Sequence, residues 1–130
     1  MELNRFEDLV RQTIFRLPDR IRRRLENVAF VIEPDQRRAQ AHELVIERHH
    51  VLLGLYQGVP YGRRGPWYSG VLPDKITLFQ SSIEQLAGGD EGRIRRIVAD
   101  TVRHEIAHYF GLDEAEVRRW EKQRRQRPRP

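Results

Sequence analysis

The stretch "RHEIAHYFGLDEAE", residues 103–116, has two histidines four residues apart, a glutamate directly after the first and a glycine three residues after the second. Successive residues of an α-helix turn by about 100°, so His104 and His108 should project from one face, about 40° apart. Two imidazoles on adjacent helical turns can bind one tetrahedral metal ion at roughly 2.0–2.1 Å. The spacing therefore predicts a helix that carries a metal site.

Glu105 has a different predicted role. Its direction differs from that of His104 by a further turn of about 100°, so it need not bind the metal. Its carboxylate could instead accept a proton from water that the metal activates, which is the chemical basis of H-E-x-x-H sites. The structural alternative is a Glu105 that faces solvent and forms a salt bridge with Arg103 or Arg96.

A third ligand is expected beyond the end of this helix. Gly111 can adopt the left-handed conformation that ends a helix and reverses the chain. Glu114 lies ten residues after His104, the spacing of the third ligand in H-E-x-x-H-x-x-G-x-x-(H or D) sites. Asp113 is the alternative, although with Glu116 it also forms a capping-box pattern for a final helix. We expect Glu114 as the third ligand and keep Asp113 open.

The pattern is specific only when it is taken whole. With the composition of this chain, H-E-x-x-H arises by chance in roughly one sequence in sixty, and the same pattern with the glycine and the acid in roughly one in six thousand. Two histidines on an apolar helix face are more often buried side chains than ligands. The complete pattern at a helix end favours a metal site.

The composition limits the possible sites and compartments. The 130 residues include no cysteine, so any zinc must be held by nitrogen and oxygen atoms. No apolar run approaches the roughly 20 residues that a membrane span needs, and the charged start lacks the apolar segment of a signal peptide. We expect a cytoplasmic protein without a membrane span, with one domain over residues 1–116.

The net charge of +5 is concentrated at one end of the chain. Residues 117–130 carry seven Lys and Arg and one Glu, hence +6, while the rest has 17 basic and 18 acidic residues, hence −1. We interpret residues 117–130 as a basic helix end and tail. Weak, salt-sensitive attraction is the most that this tail predicts for nucleic acid.

Three short apolar runs predict strands, and periodic apolar residues on either side of them predict helices. The strands are expected at 28–33, 51–57 and 75–80. Helices, then three strands, then helices is the order of an α+β domain with helices packed on a small sheet. We also expect the strand at 75–80 to lie beside the histidine helix, where an exposed sheet edge could pair with an extended substrate.

Capping patterns predict the helix boundaries. Four helices are expected to begin at capping residues, namely Asn4 with Glu7, Asp19, Ser81 with Glu84, and Asp90. Gly88 and Gly89 should end the third of these helices, and Gly111 the fourth, which runs from about 91 to 110.

Other polar and aromatic residues are weaker candidates. Tyr56, Tyr61 and Tyr68 lie in or near a Gly/Pro-rich stretch and could donate a hydrogen bond to a tetrahedral oxyanion, but packing and anchoring is the simpler interpretation. His42, His49 and His50 lack the spacing of ligands, and we interpret them as surface or strand-end residues.

The chain resembles short bacterial zincin-like metallopeptidases. The resemblance rests on "LLGLYQGVP" (52–60), "GVLPDKITLFQ" (70–80) and, most specifically, "TVRHEIAHYFGLDE" (101–114). It implies a minimal zincin fold, in which a small mixed sheet packs against an active-site helix. It also implies His104 and His108 as ligands of one zinc ion and Glu105 as the general base.

The chain departs from the pattern of that family at two positions. Related sequences usually have Asp as the third ligand, where this chain has Glu114 beside Asp113. Many zincins support the metal with a methionine turn, and the only methionine here is Met1.

Two classes of function are compatible with these features. The first is a zinc metallopeptidase that hydrolyses a peptide or protein substrate. The second is a non-catalytic zincin-like module that binds metal or a protein partner. Glu105 favours the first class, because a structural metal site has no use for a base beside an open coordination position.

Overall fold

The computed structural model describes residues 1–34, 52–58 and 74–111, together with residues 115, 116, 119 and 122. Over residues 1–34, 52–58 and 74–111 it contains four helices and three strands: α1 (Leu3–Phe15), α2 (Asp19–Arg24), β1 (Val28–Glu33), β2 (Gly54–Gln57), β3 (Asp74–Phe79), α3 (Gln80–Ala87) and α4 (Glu91–Tyr109). The α+β class predicted from the order of the sequence patterns is confirmed.

The described strands form one mixed sheet in the order β1-β3-β2. β1 runs parallel to β3, with Val28 opposite Asp74 at one end of the pair. β2 runs antiparallel to β3, with Gly54 opposite Leu78. The strand expected at 28–33 is confirmed to the residue, whereas β2 is shorter than its predicted range and β3 begins one residue earlier than predicted.

The strand at 75–80 lies beside the histidine helix as predicted, but it is not the exposed edge with which an extended substrate could pair. β3 is the central strand of the described sheet and pairs with β1 on one side and with β2 on the other. Ile76 and Leu78 are fully buried. Polar and apolar residues alternate from Lys75 to Leu78, yet Thr77 is buried as well, so both faces of this central strand are covered. It lies beside the histidine helix because α4 packs on β2 and β3.

Helix α4 begins and α3 ends as the sequence predicts. The Asp90 carboxylate accepts a hydrogen bond from the Arg93 N–H at 2.9 Å, so Asp90 is the N-cap of α4. Gly88 and Gly89 have φ values of +63° and +80°. This left-handed conformation ends α3 and is accessible to glycine without strain.

The other three predicted caps are wrong. Asn4 and Ser81 lie inside their helices and Asp19 is a first helical residue, and the N-cap positions of these helices make no side-chain capping bond. For α3 the reason is tertiary. The Met1 ammonium forms an ion pair with the Glu84 carboxylate at 2.9 Å, and the Gln80 amide donates a hydrogen bond to the Met1 carbonyl at 3.0 Å. The Glu84 carboxylate also accepts a hydrogen bond from the Gln80 amide at 3.4 Å, so it is paired with Met1 and Gln80.

The core lies between the sheet and the three longer helices. Phe6, Leu9 and Val10 of α1 are buried in one cluster with apolar residues of β3, α3 and α4. Ile14 and Leu17 are partly buried and pack against the same cluster. Within the described ranges, none of the helices is both long and apolar enough to cross a membrane.

Candidate metal centre

The H-E-x-x-H motif occupies the last two turns of α4. Upstream, Ile94, Val98 and Thr101 form a buried line along the helix, with steps of four and three residues. Glu105 continues this line one turn later and is itself buried, at 7% exposure. The two histidines lie next to the line and are half-buried. The motif therefore sits at the boundary between the core and the surface.

The histidine side chains converge. The Nε2 atoms of His104 and His108 lie 3.2 Å apart, and their ring planes are inclined at 72°. Two nitrogens bound at 2.0–2.1 Å to one tetrahedral ion lie about 3.3 Å from each other. The observed separation fits a shared zinc ion, and the nitrogen and oxygen donors of the group suit zinc in a chain without cysteine.

Glu105 faces the same space as the histidines. One of its carboxylate oxygens and one ring nitrogen from each histidine all lie within 4.8 Å of one another. The predicted alternative, a solvent-facing Glu105 in a salt bridge with Arg103 or Arg96, is wrong because Glu105 is buried. Arg103 donates instead to Asp100 at 2.7 Å. Burial of a carboxylate is costly unless polar groups surround it. Packing alone does not favour glutamate at this position.

The comparison with known protein families agrees with this geometry. The model of the zincin-like metallopeptidase family matches residues 25–124. The chain belongs to that family. No curated protein matches the chain. The resemblance inferred from the three sequence motifs is thereby confirmed, and the family implies a bound metal, for which the His-Glu-His group is the candidate site.

Helix α4 ends before Gly111, as the sequence predicts. Gly111 has a φ of +92°, and its N–H donates to the His108 carbonyl at 2.9 Å. This left-handed residue ends the helix three residues after the second histidine. Glu114 and Asp113 lie outside the described residues, so the third ligand remains a prediction. The same holds for His42, His49 and His50.

Strand β2 lies directly against the motif at Gly54, a residue that the sequence analysis did not single out. A Cβ at this position would lie 2.6 Å from Thr101 Cγ2 and 3.3 Å from Glu105 Cγ. The available signal was a glycine inside the apolar run "VLLGLYQ", since a glycine within a strand often marks the close approach of another element.

Aromatic residues anchor the C-terminal end of α4. The Tyr109 hydroxyl donates to the Arg24 carbonyl at 2.9 Å, and its ring meets the Tyr56 ring edge-on at 5.9 Å. Tyr56 in turn donates to the buried Asp74 carboxylate at 2.7 Å. These contacts support the anchoring interpretation of Tyr56, while Tyr61 and Tyr68 lie outside the described residues.

Proposed function

We propose that this zincin-like protein is a zinc-dependent peptidase, in which His104 and His108 hold one zinc ion and Glu105 is the general base. The observation that carries the proposal is the buried Glu105 carboxylate within 4.8 Å of two converging imidazole nitrogens. The family match supports metallopeptidase chemistry at the level of the family. The substrate class is accordingly a peptide or a protein.

In the proposed reaction, zinc bound at this position supplies a Lewis acid that polarises the substrate carbonyl and makes water more acidic. Glu105 accepts a proton from the water molecule as its oxygen attacks the carbonyl carbon of the peptide bond. Glu105 then returns that proton to the amine nitrogen as the C–N bond breaks. A carboxylate that stays in one place between these two steps can perform both transfers, and burial of Glu105 restricts its movement.

Glu114 is proposed as the third ligand, with Asp113 as the alternative. The support is the left-handed Gly111 three residues after the motif, which ends the helix before both acids. The described residues that follow, 115 and 116, are helical. A third ligand at Glu114 would be adjacent in sequence to these helical residues.

The proposal is tested by peptide hydrolysis with and without metal. We expect the purified protein to cleave members of a broad peptide library, to lose this activity after chelation and to regain it when zinc is added back. The His104→Ala variant should show neither zinc-dependent nor residual cleavage. Absence of cleavage in the zinc-loaded parent would contradict the proposal and favour the non-catalytic module.

A further inference from the structure

We propose that Gly54 is a positioning residue for Glu105, and that the bare backbone of β2 at this point sets where the catalytic carboxylate lies. The inference rests on the proposed function for its catalytic part. Its structural part, that Gly54 is the surface against which the stem of Glu105 packs, can be tested without any activity.

The requirement for glycine at position 54 comes from space and not from backbone conformation. The glycines with positive φ are Gly58, Gly88, Gly89 and Gly111 among the described residues, and Gly54 is not one of them. A Cβ at position 54 would nevertheless lie only 2.6 Å from the Thr101 methyl carbon, closer than carbon atoms can approach without displacement. The absence of a side chain is therefore what lets α4 lie so close to β2.

After Thr101, the nearest side chain to a Cβ at position 54 is Glu105, whose Cγ would lie at 3.3 Å. The three atoms nearest to a Cβ at position 54 belong to Thr101, Glu105 and the Thr77 carbonyl. His104 and His108 share one helix, so a small displacement of α4 would carry them together and preserve their mutual spacing. Glu105 would move with the same helix, but its Cγ is also in direct contact with position 54, so its side chain would in addition be pushed relative to the pair. A side chain at position 54 should therefore impair the base more than the metal site.

The first experiment measures kcat, KM and zinc content for Gly54→Ala. A displacement of about 1 Å at a reacting group can lower a rate by up to about 10²-fold, so we expect kcat to fall about 10- to 100-fold. KM and zinc content should stay near the parent values. The matched control is Gly92→Ala, because a Cβ at this exposed position of α4 would meet, among the described residues, only the Asp90 carboxylate at 3.4 Å.

A second substitution separates positioning from general damage to the fold. Thr101→Ser removes the methyl carbon that lies closest to position 54. We therefore expect the Gly54→Ala/Thr101→Ser chain to recover part of the lost kcat, and it carries the kinetic test if Gly54→Ala alone does not fold. An unchanged kcat in a folded Gly54→Ala chain, or no recovery in the double variant, would overturn the inference while leaving the proposed peptidase intact.

Urea unfolding tests the packing itself. In a Thr101→Ser background, Gly54→Ala should lower the unfolding midpoint less when Glu105 is also replaced by alanine, because the Glu105 Cγ is then gone. Equal shifts in the presence and absence of the Glu105 stem would overturn the inference. If the parent shows no hydrolysis but the two shifts differ, the proposed function fails and the placement of Glu105 by Gly54 stands.

Discussion

The Nε2 atoms of His104 and His108 lie 3.2 Å apart, although the two residues occupy successive turns of α4. One turn of an α-helix rises about 5.4 Å, so the rings have to lean toward each other to bring these atoms so close. The arrangement presents two nitrogens to one point at the end of a helix that is packed against the sheet. It is a prearranged pair of donors, which is what strong metal binding requires.

The first prediction concerns zinc and the two histidines. Zinc bound to the folded chain but not to the unfolded chain should stabilise it by about 2.7 kcal/mol at a free concentration 100 times Kd. Adding zinc to the metal-free protein should therefore raise its Tm, and His108→Ala should abolish the rise. His42→Ala, outside the motif, is the control and should respond as the parent does. An equal zinc-dependent rise in the His108→Ala chain would contradict the assignment.

The second prediction distinguishes the two acids that follow Gly111. Because Glu114 has the spacing of the third ligand, Glu114→Ala should weaken zinc binding by at least the 10-fold expected for loss of a supporting partner. Asp113→Ala should leave zinc affinity near that of the parent. Titration with a competing chromogenic chelator measures both. The reverse ranking would identify Asp113 as the ligand.

The third prediction compares two phenylalanines of α1. Phe6 is fully buried in the core, whereas Phe15 is 75% exposed and its ring lies beside the Arg22 guanidinium. Phe6→Ala should lower the free energy of unfolding by about 3–5 kcal/mol because it removes a large side chain from a packed site. Phe15→Ala should change it by about 0.5 kcal/mol or less. Urea unfolding of both variants provides the comparison, and similar losses would contradict the packing of α1.

The fourth prediction compares a confirmed cap with a rejected one. Asp90→Ala removes the acceptor of the Arg93 N–H and should destabilise the chain by about 1 kcal/mol. Ser81→Ala should have almost no effect, since Ser81 lies inside α3 and is exposed. Thermal unfolding can resolve the difference. A larger loss for Ser81→Ala would restore the capping box that the sequence suggested.

The features that were predictable from sequence are those fixed by neighbouring residues. The strand at 28–33 is a β-branched and apolar run that ends before Pro34, and the local pattern is sufficient. The motif is equally local, because a spacing of four residues on a helix brings His104 and His108 together whatever the rest of the fold does. Asp90 caps α4 through a residue only three positions away.

The features that were missed depend on residues distant in sequence. β3 is central because β1 and β2 pair with it from both sides, and no local pattern specifies these partners. The first turn of α3 is tied to Met1 through the Gln80 amide and the Glu84 carboxylate. Gly54 becomes important only when α4 lies against it. A capping or strand pattern indicates only a local preference. Tertiary contacts determine the position of β3, the start of α3 and the role of Gly54.

The central claim is that Glu105 is the base of a zinc peptidase, and Glu105→Gln tests it most directly. The substitution preserves size but removes the proton acceptor, so zinc content should stay at one ion per chain while kcat falls about 10²–10⁴-fold. Glu91→Gln, the same change at an exposed position of α4, is the control and should keep full activity. Zinc content and kcat are measured on the same protein sample. The predicted result is that Glu105→Gln retains zinc and loses turnover, and unchanged turnover in the zinc-loaded Glu105→Gln protein would contradict the account.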